Sequence, residues 1–139
     1  MSEPVWTLVD SNVWLDVFGA PSPWKEWSEH ALELVYDEGP VCINPLIYAE
    51  ISVRFDAVEE LEARMPPHQV IRDQVPYEAA FLAGKAFALY QSRGGLTRAP
   101  LCDHYIGAHA AVRGYRLLTR DKKARFRTYF PKLEVIAPD

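Results

Sequence analysis

The sequence predicts an α/β fold, a single domain over residues 1–139 built on a parallel sheet, and three observations predict it. Short β-prone apolar runs at residues 5–9, 41–43, 115–119 and 133–136 alternate from end to end with stretches of helical period. Runs that are apolar throughout belong to strands covered on both faces, as parallel strands are. Two of them stop at a carboxylate: Asp10 follows Val9 directly, and Asp121 lies two residues beyond Thr119. Carboxylates at strand tips belong at the C-terminal edge of a parallel sheet, where open α/β sheets bind their ligands.

Each element follows from local chemistry. After the first strand, residues 12–18 form a short helix and Gly19-Ala20-Pro21-Ser22 a turn. Ser22 then caps a helix with Pro23 at its first position and with Trp24, Trp27, Ala31, Leu34 and Val35 on one face, ending near Gly39-Pro40. The second strand, Val41-Cys42-Ile43, runs into Asn44-Pro45, an N-cap followed by proline at the first helical position. On that helix Glu50 falls among Leu46, Ile47, Val53 and Ala57, in the middle of the apolar face, where an unpaired carboxylate needs a cation or hydrogen-bond donors. A polar continuation from Asp56 to Arg64 runs to the break at Pro66-Pro67, and Val70-Ile71 is a short edge strand. Pro76 introduces a helix over residues 77–92, with Phe81, Ala88 and Leu89 among its apolar residues and Gly94-Gly95 as its stop. Residues 96–100 form a loop to a helix on which Asp103, Ile106, Gly107, Ala110 and Ala111 share one stripe, its small side chains letting it lie close to the sheet. Gly114 ends that helix before the last two strands.

Composition fits this picture. With 139 residues, 49% of them hydrophobic and 24% charged, the chain has enough apolar material for the core of one soluble domain. No run of about 18 apolar residues is long enough to span a bilayer, and no signal peptide is evident, so a cytoplasmic location without membrane attachment is expected. Cys42 and Cys102 lack any metal-like spacing and read as two buried thiols. The net charge of −4 conceals a basic segment: eight of the fifteen Lys and Arg residues lie between Arg113 and Lys132, with Asp121 the one acid among them. Arg120, Lys122, Lys123 and Arg125 around that acid fit a rim that contacts nucleic-acid phosphates, and equally a solvated surface.

Four acids, Asp10, Glu50, Asp103 and Asp121, are the candidate catalytic and metal-ligating residues. Singly each has an ordinary role: N-cap for Asp10 and Asp103, turn former for Asp121, and salt bridge to Arg54 for Glu50. Converging, they make an oxygen-only site, which selects a hard divalent ion, Mg²⁺ or Mn²⁺, and suits phosphodiester hydrolysis. Asn12 and Thr119 are placed to orient the carboxylates through hydrogen bonds. His104, beside Asp103, is the histidine that could touch substrate, whereas a Ser11-His104-Asp triad lacks its G-x-S-x-G elbow.

These motifs carry a resemblance. Residues 9–16 (VDSNVWLD), Glu50, residues 103–110 (DHYIGAHA) and Leu117-Leu118-Thr119-Arg120-Asp121 resemble the successive motifs of PIN-domain ribonucleases, and the C-terminal segment is similar to that of VapC-type toxins of toxin–antitoxin pairs. The resemblance implies a parallel sheet of about five strands in the order 3-2-1-4-5, Mg²⁺-dependent cleavage of single-stranded RNA regions, homodimers, and inhibition by a small cognate antitoxin. It makes Asp10 and Asp103 the principal metal ligands, completed by Glu50 and Asp121 and supported by Thr119. Gly107 and His109 depart from it, standing where many members carry alanine. A receiver-like phosphoacceptor domain is the competing reading, although it would pair Asp10 with a second acid and place a lysine after the last strand. A catalytically silent RNA- or protein-binding member of the same fold is another. A partner surface is expected on the Trp24–Trp27 and Glu50 helices.

Overall fold

The computed structural model describes residues 3–94 and 101–139; the loop expected over residues 96–100 and Gly95 lie outside them. Five parallel strands make one sheet, β1 (Thr7–Val9), β2 (Val41–Ile43), β3 (Ile71–Arg72), β4 (Arg116–Leu118) and β5 (Val135–Ile136), in the order β3-β2-β1-β4-β5. This is the order expected. It differs from the 2-1-3-4-5 order of receiver domains, because β3 lies outside β2 instead of between β1 and β4, so the phosphoacceptor reading falls. In register, Thr7 stands beside Val41 and Arg116, and Val9 beside Leu118. Asp10 and Thr119 therefore leave adjacent strands at the same edge.

Seven helices are described: α1 (Ser11–Val17), α2 (Lys25–Glu38), α3 (Pro45–Ser52), α4 (Val58–Arg64), α5 (Tyr77–Ser92), α6 (Leu101–Arg113) and α7 (Lys123–Arg127). α1 packs on α2 and α3, while α6 packs on α5, β4 and α7. Local chemistry sets their ends. Asn44 accepts the Ile47 amide at 2.9 Å with Pro45 at the first position of α3, and Gly114, at φ 74°, closes α6 in the left-handed conformation.

Some faces differ from expectation. α2 starts two residues later than the Ser22 cap implied, and it buries Ser28, Ala31, Leu32 and Val35 while Trp24 and Leu34 stay exposed. The helix is rotated because Ser28 Oγ donates to the buried Asp16 at 2.7 Å, which turns a polar position inward. α5 likewise buries Ala79, Ala83 and Ala86, leaving Phe81, Ala88 and Leu89 outside. Its neighbour α6 is lined by small residues, and two such helices approach too closely for large side chains between them. The chain breaks at residues 53–57 instead of continuing from α3, so Val53, past the helix end, is 83% exposed. Cys42 is buried as expected, but Cys102 is exposed, since the first turn of α6 faces an open cleft. The Gly107 stripe meets Phe126 and Phe130 from the α7 segment, which sequence periodicity did not reveal.

Candidate active site

The site begins with the tip of β1. Asp10 is buried at 3% exposure, and one of its oxygens caps α1 by accepting the Ser11 amide at 2.8 Å. Its other oxygen accepts from the Thr119 hydroxyl at 2.9 Å, across 109 residues of sequence. Thr119 Oγ1 in turn accepts from Asn12 Nδ2 at 3.3 Å and from the Asp121 amide at 3.2 Å. One hydroxyl thus holds together the exits of β1 and β4. Burial, reinforced by the nearby Asp103 charge, pushes the Asp10 carboxyl up to about 7, although the Thr119 and Ser11 hydrogen bonds pull the other way.

Beside this buried floor lies an open cleft of about 1020 Å³. Glu50, Asp103 and Asp121 line it. Glu50 stands on the flank of the α3 apolar face, half-buried instead of central to it, and Ser11 Oγ donates to its Oε1 at 3.1 Å. No Arg54 pair is needed, because the hydroxyl satisfies that oxygen. Burial raises the Glu50 pKa, with Asp103 and Asp121 adding to the rise. Asp103 is also raised by burial, against the pull of Arg125. Glu50, Asp103 and Asp121 thus share the cleft, with the Asp121 charge adding to the rise at the other two, while Asp10 lies buried beside it within electrostatic reach of Asp103 and Glu50.

The cations divide. Arg125 lines the cleft, and its Nε donates to Asp103 Oδ2 at 2.7 Å. Arg120 turns inward and donates to Asp16 Oδ2 at 2.9 Å, where Asp16 also receives Ser28. Lys122 lines the cleft, whereas Lys123 lies next along at the start of α7. The wider basic segment is no continuous rim: Arg113 pairs with Asp73, and Arg116 is buried against Thr7 and Glu38 at the opposite end of the strands.

A family model for the PIN domain matches residues 7–129. The chain belongs to the PIN domain family. Among solved structures, its fold is similar to that of VapBC2 from Rickettsia felis bound to a promoter DNA fragment (TM-score 0.71, 15% identity, covering 97% of this chain and 100% of the other). It is also similar to VapBC-1 from nontypeable Haemophilus influenzae (TM-score 0.67, 16% identity, 96% and 98%). A toxin–antitoxin complex from Klebsiella pneumoniae gives 0.63 at 22% identity, with 96% and 98% covered. No curated protein matches in a sequence search.

Three features of this PIN domain's cleft were not read from sequence. Tyr90 and Tyr129 form an aromatic wall around His104, whose ring centroid lies 5.0 Å from that of Tyr129. His104, the histidine that could touch substrate, lines the cleft but is only 3% exposed, with Tyr90 and Tyr129 packed on its ring. The Asp16–Arg120 pair and the Asp103–Arg125 pair join residues 104 and 22 positions apart, beyond the reach of any local pattern. His109, by contrast, is settled by packing: it sits between Asn44 and Asp73, each at 3.0 Å, so its polar atoms are satisfied within the fold.

Proposed function

We propose that this PIN domain is a divalent-metal-dependent endoribonuclease acting as the toxin of a toxin–antitoxin pair. The observation that supports the reading is an open cleft lined by Glu50, Asp103 and Asp121 with Asp10 buried beside it, its carboxyl pushed up to about 7. Burial is the main cause of that rise, and the neighbouring Asp103 and Glu50 charges add to it, so a cation beside Asp10 would relieve both.

The residues fit a hard divalent ion. Three carboxylates line the cleft, and Asp10 beside them is held in one orientation by Ser11 and Thr119. Among the described residues no three ligating side chains close on a single point. Mg²⁺ and Mn²⁺ bind through as few as one or two carboxylates and keep several waters. Asp10 and Asp103 would hold it, with Glu50 and Asp121 completing the negative surround. When bound, the ion would polarise the phosphoryl oxygen and stabilise the departing one.

Hydrolysis forms a bond from water oxygen to phosphorus, breaks one P–O ester bond and moves a proton from the water to a base. Glu50 is the base best placed, since Ser11 engages Oε1 and leaves the carboxylate facing the cleft. Lys122 and Lys123 would meet flanking phosphates, contacts that position RNA without reading its sequence. Likeness to toxin–antitoxin complexes supports an antitoxin partner; a homodimer in the cytoplasm and a contact surface on the exposed parts of α2 and α3 complete the proposal. No described helix is long and apolar enough to cross a membrane.

The test is cleavage of single-stranded RNA with and without Mg²⁺, comparing wild type with Asp10→Ala and Asp103→Ala. We expect activity to fall by about 100-fold or more in each variant; activity surviving both changes refutes the assignment.

A further inference from the structure

Arg125 sits one residue before Phe126, whose buried ring lies against Gly107 and fixes α7 on α6. That anchor aims the neighbouring guanidinium at the acids instead of at solvent. Its Nε reaches Asp103 Oδ2 at 2.7 Å, with the Asp103 side chain 18% exposed and the arginine 48% exposed. The guanidinium is thus the counter-ion of Asp103, in a cleft that Asp121 and Glu50 also line, while part of it remains at the cleft mouth.

We propose that Arg125 is an exchangeable counter-ion, holding Asp103 until a divalent cation takes that carboxylate and then turning to a substrate phosphate. The inference rests on the metal-dependent reading given above and adds a residue that couples its two ligands. A carboxylate oxygen shared with an arginine is a weaker metal ligand, so the pair and the cation compete. A guanidinium released at the cleft mouth is a bidentate phosphate donor. Arg120 cannot take this part, since it is tied to the buried Asp16.

The coupling predicts effects of opposite sign. By calorimetric titration of the full chain with Mn²⁺, Arg125→Gln should bind the ion about fivefold tighter than wild type, the scale of a half-exposed ion pair. With Mn²⁺ saturating, its affinity for a phosphorothioate single-stranded RNA, read by fluorescence anisotropy, should fall about fivefold, with a shallower salt dependence. Arg125→Lys, which keeps the charge and guards against a folding defect, should restore part of the RNA affinity, short of wild type because an ammonium cannot make the bidentate contact. Mn²⁺ binding that is unchanged or weaker in Arg125→Gln overturns the inference, as does RNA affinity that does not move. If every variant binds Mn²⁺ alike, Arg125 alone is misassigned; if none binds it, the metal-dependent reading fails as well.

Discussion

Asp10 shows how one carboxylate can be costly to a fold and useful to it. Its folded pKa of about 7 lies above the ordinary 3.8, so between those values the folded chain keeps a proton that the unfolded chain has lost. Stability attributable to this group is therefore greatest below about pH 4, declines as pH rises toward 7, and stays low above it. Asp10→Asn removes the titration. In EDTA we expect the variant to melt about 5 °C or more above wild type at pH 8 and close to it at pH 4. Parallel melting curves across that range would show that Asp10 does not carry the perturbed charge. Asp10 was legible in the sequence because a strand tip is a local feature. The Thr119 bond that holds it was foreseen only as a role, since the contact depends on two distant strands lying side by side.

Elements were legible where their ends are chemical and less so where their faces depend on neighbours. The Asn44-Pro45 start of α3 and the Gly114 end of α6 follow from capping alone. The buried sides of α2 and α5 do not, because a periodic reading places large apolar residues inward, whereas here Ser28 and a line of alanines face the interior. Close packing also governs Gly107. A Cβ built there would lie 2.6 Å from the Phe130 ring, so in Gly107→Ala either that ring or the segment carrying it must shift away from α6. Chemical denaturation should show a loss of about 1–3 kcal/mol despite the better helix propensity of alanine; an unchanged midpoint would mean that the Phe130 ring yields freely. Arg120 joins the exit of β4 to α1 and α2 through Asp16, whose side chain is 1% exposed. Removing the guanidinium leaves a buried carboxylate with only Ser28, so Arg120→Ala should cost about 3 kcal/mol in a urea melt. Full stability combined with weakened RNA binding would instead mark Arg120 as a phosphate contact.

At the scale of the whole molecule, the strand order was available from the family resemblance and the layered α/β class from the alternation of strands and helices. The cleft's detailed makeup was not, because Tyr90, Cys102 and Arg125 meet only after α5, α6 and α7 have packed. The floor of the site spans nearly the entire chain, since the hydroxyl that clamps Asp10 is delivered 109 residues later. Loop closure over such a distance is slow to be rewarded during folding. A growing polypeptide that has emerged only as far as Arg113 possesses three of the four acids but lacks both the Thr119 latch and the arginine opposite Asp103. The acid site is consequently incomplete until β4 and α7 have been synthesised, however early its first three carboxylates emerge.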